Sequence, residues 1–448
     1  MEIRNKNISI IGAVRSGIGA AKLIKKLGGI PFVSDSGSES KLQESIQKLK
    51  DENINYEVGN HSEKVFECEL MIVSPGVPSN ADVIVKAKGK GIKLISEIEL
   101  AADYCKGNVI AITGTNGKTT TTSLCNYVMN TCGLKTYSAG NIGFAFSEIA
   151  LDVKENEFVA LEVSSFQLDL IDKFKPKVAV LLNITPDHLN RYENKFENYI
   201  RSKQRIYKNQ SEEDFLILNK DDKTLISSLT LYKSKDYYFS LKESQTNGCF
   251  LSDDEVILNV NGKTEFCCKA NDINLKGEHN IANAMAVISA VKLFDANNEK
   301  IIKALGAFQG VEHRLELVRV IDGVKFINDS KATNVDSVWY ALRSFDDPIF
   351  LILGGQDKGN DYDKIKDLVI EKVAKIYAIG SSADKVFNYF HSFTKVEIKS
   401  SLEEVVLAAN NEARQNEVVL LSPACASFDM FDNYEHRGKV FKEAVNKL

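Results

Sequence analysis

Between Val109 and Gly133 a strand-like run, VIAIT, gives way to the glycine-bordered turn GTNGKTT and then to a helical stretch, SLCNYVMNTCG. No other part of the chain limits its fold as tightly. A strand that ends in glycines and resumes as a helix turns several backbone N–H groups toward one point, where phosphate oxygens are well held. The run departs from the usual G-x-x-x-x-G-K-[ST] spacing. Ile112 stands where the first glycine would be, and only Thr115 and Asn116 separate Gly114 from Gly117. Lys118 is placed to neutralise β- and γ-phosphate charge, and Thr119 to ligate Mg²⁺. The competing reading is a glycine turn with an exposed lysine, but the strand and helix on either side favour a phosphate cradle. Thr120, Thr121 and Thr122 lose rotamer freedom in a first helical turn, so their hydroxyls serve local backbone or a ligand. For Thr121 and Thr122, helix capping is the simpler account.

A chain of 448 residues is too long for one ordinary core, so several domains are expected. Hydrophobic residues at 44% and charged residues at 26% are the proportions of a soluble globular protein. A net charge of −5 over this length, with no long single-sign run, argues against a basic footprint for nucleic acid or anionic lipid, so small-molecule chemistry is the default expectation. The opening MEIRNKNISIIGAV lacks a signal-peptide core, and no long apolar run follows, so a cytoplasmic protein without membrane insertion is expected. Eight cysteines without a C-x-x-C pair read as reduced packing residues.

Short apolar strands alternating with helical stretches predict an α/β chain of three domains. The first, residues 1–105, carries ISIIG, PFVSD and MIVSPGVPS as βα units of a Rossmann-like parallel sheet. The second, 106–310, holds the cradle with FVALEV and VAVLLNIT, apolar runs suited to strands buried on both faces. Its residues 213–270 (FLILN, DYYFSL, EVILNV, EFCCKA, with a turn at Asn261-Gly262) predict an antiparallel extension. The third, 311–448, repeats the βα alternation with VKFIND, PIFLILGG, KIYAIG and EVVLLSPA, again Rossmann-like.

Glu162 directly follows FVAL, at a strand end from which a Mg²⁺ between nucleotide phosphates can take an oxygen ligand. His188, beside Asp187, follows VAVLLNIT in the same way, although a lone histidine there is more often structural. In KFENYIRSKQRIYKN, Phe196, Ile200, Ile206 and Tyr207 mark an apolar stripe on which Lys203 also falls. A lysine on a buried face needs a partner or a modification. The alternative is snorkelling, with the stem packed and the amine in water.

GTNGKTT, LEVSSFQLD, NITPDHLNRY, SKQRIY, GEHNIANA, EHRLE and FINDSKATN stand in the order seen in the Mur ligases of peptidoglycan synthesis, and the chain resembles that family along its whole length. LSPACASFDMFDNYEHRG and the lysine of GGQDKG look like those members that add D-glutamate. The resemblance implies that ATP phosphorylates the carboxylate of UDP-N-acetylmuramoyl-L-alanine to an acyl phosphate, which the D-glutamate amine then attacks. It implies ATP contacts at Gly114, Thr115, Asn116, Gly117, Lys118, Thr119, Thr120, Asn280, Asn283, Arg314 (γ-phosphate) and Asp329 (ribose). Two Mg²⁺ ions are implied near Thr119, Glu162 and His188, the second held by Lys203 as a carbamate. Lys331, Thr333, Lys358, Ser427 and Tyr434 resemble the catalytic and D-glutamate group. Arg15, Ser16, Gly17, Asp35, Ser36 and Gly76, with Asn141, Ser164, Gln167 and His188, resemble contacts to the nucleotide-sugar substrate.

A monomer is expected, with closure about a hinge near residue 310. Three rivals remain. A folylpolyglutamate-synthetase-like ligase shares the short cradle but lacks a comparable domain in the roughly one hundred residues that precede it here. An NAD-dependent oxidoreductase would want glycine at Val14 between Gly12 and Gly17. A regulatory ATPase would leave Lys358, Ser427 and Tyr434 unexplained.

Overall fold

Three sheets form from these strands in a computed structural model that describes every residue except Asn261 and Lys358. The chain divides into two compact units, Met1–Asn274 with Ile281–Phe308, and Leu275–Asn280 with Gln309–Leu448. The first unit contains two of the sheets and the second unit the third. Among the described residues no helix is long and apolar enough to cross a membrane, and the cysteines are free thiols.

The first sheet is wholly parallel, in the spatial order Asn55–Val58, Ile30–Asp35, Asn7–Ile11, Leu70–Val73, Lys93–Ser96. After Asn7–Ile11 the chain turns at Gly12 (φ 102°) into the helix Arg15–Lys26. A Cβ on Gly17 would lie 1.8 Å from the Gly12 carbonyl oxygen, so the turn closes only around glycine.

Nine strands make the central sheet, running from Lys263–Lys269 through Glu255–Val260, Gly248–Ser252, Lys235–Ser240, Phe215–Asn219, Val178–Leu181, Asn108–Thr113 and Phe158–Glu162 to Thr136–Gly140. Val178–Leu181 and Phe158–Glu162 are buried throughout, as their unbroken apolar character predicts. The expected antiparallel extension is shorter than 213–270. Phe215–Asn219, Lys235–Ser240 and Gly248–Ser252 continue the sheet in parallel, and only the last three strands alternate in direction. An Asp222-capped helix, Lys223–Ser228, supplies the first crossover. The next connection can be short because Lys235–Ser240 and Gly248–Ser252 overlap by only the pairs Tyr238–Gly248, Phe239–Cys249 and Ser240–Phe250. Of the expected turn, Asn261 lies outside the described residues.

The second unit orders its strands Glu316–Ile321, Val324–Asn328, Val418–Leu421, Ile349–Gly354, Val373–Ile379, Lys395–Ile398, parallel except for the opening hairpin.

Within the first unit, Glu99 ties the two sheets together. Its carboxylate accepts the backbone N–H groups of Asp172, Lys173 and Phe174 at 3.0, 2.9 and 2.8 Å. Glu99→Ala leaves three donors unmet, of which Phe174 N is buried and the other two lie in part-buried contacts. We expect it to lower unfolding stability by about 3 kcal/mol, given about 1–3 kcal/mol for each unsatisfied buried group, and Glu99→Gln to cost less. Urea denaturation checks this, and an unchanged midpoint for Glu99→Ala would contradict it.

Candidate active site

The cradle follows the strand Asn108–Thr113 and ends at Gly117 (φ 82°), which caps the helix Lys118–Thr131. A glycine turn has no ladder partner of its own, and its polar groups are met from the segment after Val178–Leu181. Asn116 N donates to Asn183 Oδ1 (2.8 Å), Asn183 Nδ2 returns a bond to Asn116 O (3.1 Å), and Thr115 N donates to Asn183 O (3.0 Å). Thr115 Oγ1 donates to Thr185 O and accepts from Thr185 N, both at 3.0 Å. These intrachain bonds fix the shape of the turn. Asn283 borders it: a Cβ on Gly117 would come within 2.8 Å of Asn283 Oδ1. Thr119 and Thr120 are buried in the first helical turn; the hydroxyls of Thr121 and Thr122 are buried without a hydrogen-bond partner, so neither caps the helix.

Two lysines meet at one carbonyl. Lys118 Nζ donates to Gly114 O at 2.8 Å and to Thr115 O at 2.7 Å, and Lys203 Nζ donates to Gly114 O at 2.7 Å. Lys203 is 1% exposed, with its amine 4.6 Å from the Tyr199 ring centre. Its amine does not reach water, which removes the snorkelling reading. Burial first, and then the Lys118 charge, hold the Lys203 amine well below the ordinary lysine range.

Glu162 closes the strand Phe158–Glu162. Its Oε1 accepts from Asn141 Nδ2 at 2.7 Å, while Oε2 is buried and has no hydrogen-bond partner. A buried carboxylate oxygen left open beside a phosphate cradle fits a hard cation, so Glu162 and the Thr119 hydroxyl suit Mg²⁺. His188 sits in a left-handed turn (φ 53°), its ring edge-on to Phe166 at 5.3 Å and its Nε2 3.6 Å from Asp187 Oδ2. Ser164 and Gln167 bond to each other as a capping box on the helix Ser165–Leu168.

In the first sheet the Asp35 carboxylate accepts Ala13 N and Gly37 N, each at 2.7 Å, and so shapes the turn after Asn7–Ile11. Val14 is 62% exposed, Ser16 is half-buried, and Ser36 and Gly76 are exposed. Arg15 donates to the carbonyls of Gly140, Asn141 and Gly143. Arg191, in the quoted NITPDHLNRY but not singled out there, donates to the carbonyls of Pro75, Gly76 and Val77 and lies 4.3 Å over the Phe166 ring.

In the second unit Asn280 Nδ2 donates to Lys276 O at 2.7 Å. His279, also overlooked, is pushed down to about 4 by burial and then by Arg314 and Arg343, so it is a neutral ring at pH 7. Arg314 Nη1 lies 3.8 Å from Asp329 Oδ1, and its Nε is buried without a partner. Asp329 also accepts from Ser422 Oγ at 2.9 Å, and burial drives its carboxyl up to about 6 against the pull of Arg314. Lys331 Nζ stands 5.1 Å over the Tyr434 ring; Thr333 is half-buried and Ser427 buried. Arg437, 1% exposed, joins the loops that carry these residues, donating to Ser330 Oγ, Ser330 O, Cys425 O and Ala426 O. Lys358 lies outside the described residues.

Residues 112–291 match the family described as Mur ligase middle domain, residues 313–425 the Mur ligase, glutamate ligase domain, and residues 9–83 the MurD N-terminal domain. A relative from Chloroherpeton thalassium is 42% identical and spans 100% of this chain and 99% of its own. One from Christiangramia forsetii is 43% identical, over 99% and 100%. Both are named UDP-N-acetylmuramoylalanine--D-glutamate ligase. The same fold recurs in the UDP-N-acetylmuramate-alanine ligase of Thermotoga maritima (TM-score 0.65, 19% identity, 99% of this chain and 100% of that one). It recurs also in the MurF ligase of Thermotoga maritima in complex with ADP (TM-score 0.60, 16% identity, 93% and 95%).

Asp329 generates a pH signature. Its folded carboxyl binds a proton more tightly than an unfolded one, so stability falls as pH rises from about 4 to about 6 and the full penalty applies above that window. Asp329→Asn removes the penalty. We expect this variant to be more stable than the parent near pH 8, by up to about 3 kcal/mol, with the gain fading near pH 4. Denaturant titrations at both pH values check the sign, and a gain that grows toward acid would contradict it.

Proposed function

Because this chain belongs to the Mur ligase family, we propose that it joins D-glutamate to UDP-N-acetylmuramoyl-L-alanine, coupled to ATP cleavage, as a step of peptidoglycan precursor synthesis. The relatives' shared name supports the substrate pair, and the meeting of Lys118 and Lys203 at Gly114 O carries the chemistry. A carboxylate is a poor electrophile. Its oxygen attacks the γ-phosphorus, the bond to the β-phosphate oxygen breaks, and ADP leaves with that electron pair. The unprotonated amine of D-glutamate then adds to the acyl carbon, its nitrogen gives up a proton, and the C–O bond to phosphate breaks so that phosphate departs with the electron pair as the amide forms. Lys118 and the N–H groups of the turn stabilise the charge that gathers on the transferred phosphoryl group.

Mg²⁺, when bound, would neutralise phosphate charge, and the open Glu162 oxygen with Thr119 and His188 would hold it. Lys203 completes the set as a carbamate. The unprotonated amine attacks CO₂: the N–C bond forms, one C–O π bond passes its electron pair to oxygen, the nitrogen gives up a proton, and a carbamate anion stands where the amine stood. Burial weakens the hold of that amine on its proton and so favours the step. Arg314 serves the γ-phosphate, Asp329 the ribose, and Asn280 and Asn283 the nucleotide. Lys331, Thr333, Lys358, Ser427 and Tyr434 serve D-glutamate. The groups around Gly17, Asp35 and Gly76, with Asn141, Ser164 and Gln167, serve the nucleotide sugar. The partition at 105 and 310, a cytoplasmic location and a monomeric state belong to the same proposal.

The test is phosphate release that requires both the nucleotide sugar and D-glutamate, with the product identified by mass; equal release with either omitted overturns the proposal. Lys118→Ala is expected to lower turnover by about 10²-fold or more, and a near-parental rate would remove the cradle assignment. For Lys203, intact mass under bicarbonate should show one added carboxyl group, or Lys203→Ala should regain activity with a short-chain acid. The absence of both would leave Lys203 an unmodified buried amine.

A further inference from the structure

We infer that Arg15 is a positioning residue for the carboxylate of Glu162, acting through Asn141, and not a direct binder of the substrate diphosphate. The inference rests on the reading of Glu162 as a Mg²⁺ holder. Arg15 opens the helix Arg15–Lys26 in the first sheet, a place from which a cation could face a diphosphate. Its guanidinium is committed elsewhere. Nη1 donates to Gly143 O at 3.0 Å, and Nη2 donates to Asn141 O at 2.9 Å and to Gly140 O at 3.3 Å. These carbonyls belong to the turn after the strand Thr136–Gly140, which follows a positive-φ path at Gly140 and Gly143. A planar fork can serve three carbonyls of one turn at once, whereas the point charge of a lysine cannot.

What that turn holds is Glu162. Asn141 N donates to Glu162 O at 2.9 Å and Asn141 Nδ2 to Glu162 Oε1 at 2.7 Å, which leaves Oε2 as the open oxygen. At Gly140 the two backbones come so close that a Cβ would lie 2.2 Å from Glu162 O. The turn therefore cannot shift without taking the carboxylate along. Behind it, Ser147 N donates to the buried Glu97 Oε1 at 2.5 Å, and Ser147 Oγ would stand 2.7 Å from a Cβ on Gly19. The first sheet thus grips this segment at several points, and Arg15 grips it nearest to Glu162. Groups that orient a metal ligand without touching the ion commonly carry 10- to 100-fold in affinity or rate.

The experiment compares the parent, Arg15→Lys, Asn141→Ala and the double variant. Mn²⁺ affinity is read by electron paramagnetic resonance on the full chain with ADP present, and kcat and KM are measured for the nucleotide sugar. Thermal unfolding shows that each variant is folded. Arg15→Lys should weaken Mn²⁺ binding and lower kcat by about 10-fold, leave KM for the nucleotide sugar within about twofold, and add nothing further in the Asn141→Ala background. A raised KM with kcat and Mn²⁺ affinity unchanged would overturn the inference in favour of a diphosphate contact, and full additivity with Asn141→Ala would overturn it as well. The Mn²⁺ arm needs no turnover, so it judges Arg15 even where the substrate pair is misassigned.

Discussion

Two lysine side-chain nitrogens share the carbonyl oxygen of Gly114, and most of the site depends on that meeting. Nitrogens at 2.8 and 2.7 Å from one oxygen stand no more than about 5.5 Å apart. At an effective dielectric of about 20 two full charges at that separation repel by on the order of 3 kcal/mol. A site so built relieves itself in two ways. It can release a proton from the more buried amine, Lys203, or it can admit anions. Phosphate at the turn and a carboxylate formed on Lys203 are both anions, so one electrostatic conflict favours the nucleotide and the modification together. The strands Asn108–Thr113, Phe158–Glu162 and Val178–Leu181, packed on both faces, keep the conflict from relaxing by movement.

Around this centre, loops at the ends of parallel strands present carbonyls that no ladder can take, and arginines take them. Arg15 gathers Gly140, Asn141 and Gly143; Arg191 gathers Pro75, Gly76 and Val77; Arg437 gathers Ser330, Cys425 and Ala426. Arg15 reaches from the first sheet to the central one and Arg191 reaches back, so the edges that carry candidate substrate contacts are held from both sides. A rigid planar donor is what such a task requires.

Much of this was legible beforehand where a local pattern has one physical cause. The strand, glycine turn and helix of the cradle and the doubly buried strands were written in short windows, whereas the stripe placed Lys203 on the apolar face and left snorkelling open. Ser164 and Gln167 carry a second signal beside family position, because S-x-x-Q is itself a capping signature and the two side chains bond to each other. The parallel pairing of Phe215–Asn219, Lys235–Ser240 and Gly248–Ser252 was hidden, since strand direction depends on the Asp222-capped crossover and on an overlap of three pairs. The arginine clamps were hidden for a related reason. Their partners are main-chain carbonyls far away in the chain, and no residue type marks such an acceptor. His279 was passed over within GEHNIANA because its neutrality comes from burial and from Arg314 and Arg343, which only the folded second unit brings near.

The central claim is that the cradle delivers the outermost phosphoryl group of ATP to a carboxylate. Its most direct measurement supplies the nucleotide-sugar substrate with heavy oxygen in the alanyl carboxylate and follows the label during turnover with D-glutamate. The account predicts one labelled oxygen in each released phosphate, because the C–O bond to the transferred phosphoryl group is the one that breaks. Phosphate released without label, with amide formed at the normal rate, would contradict it.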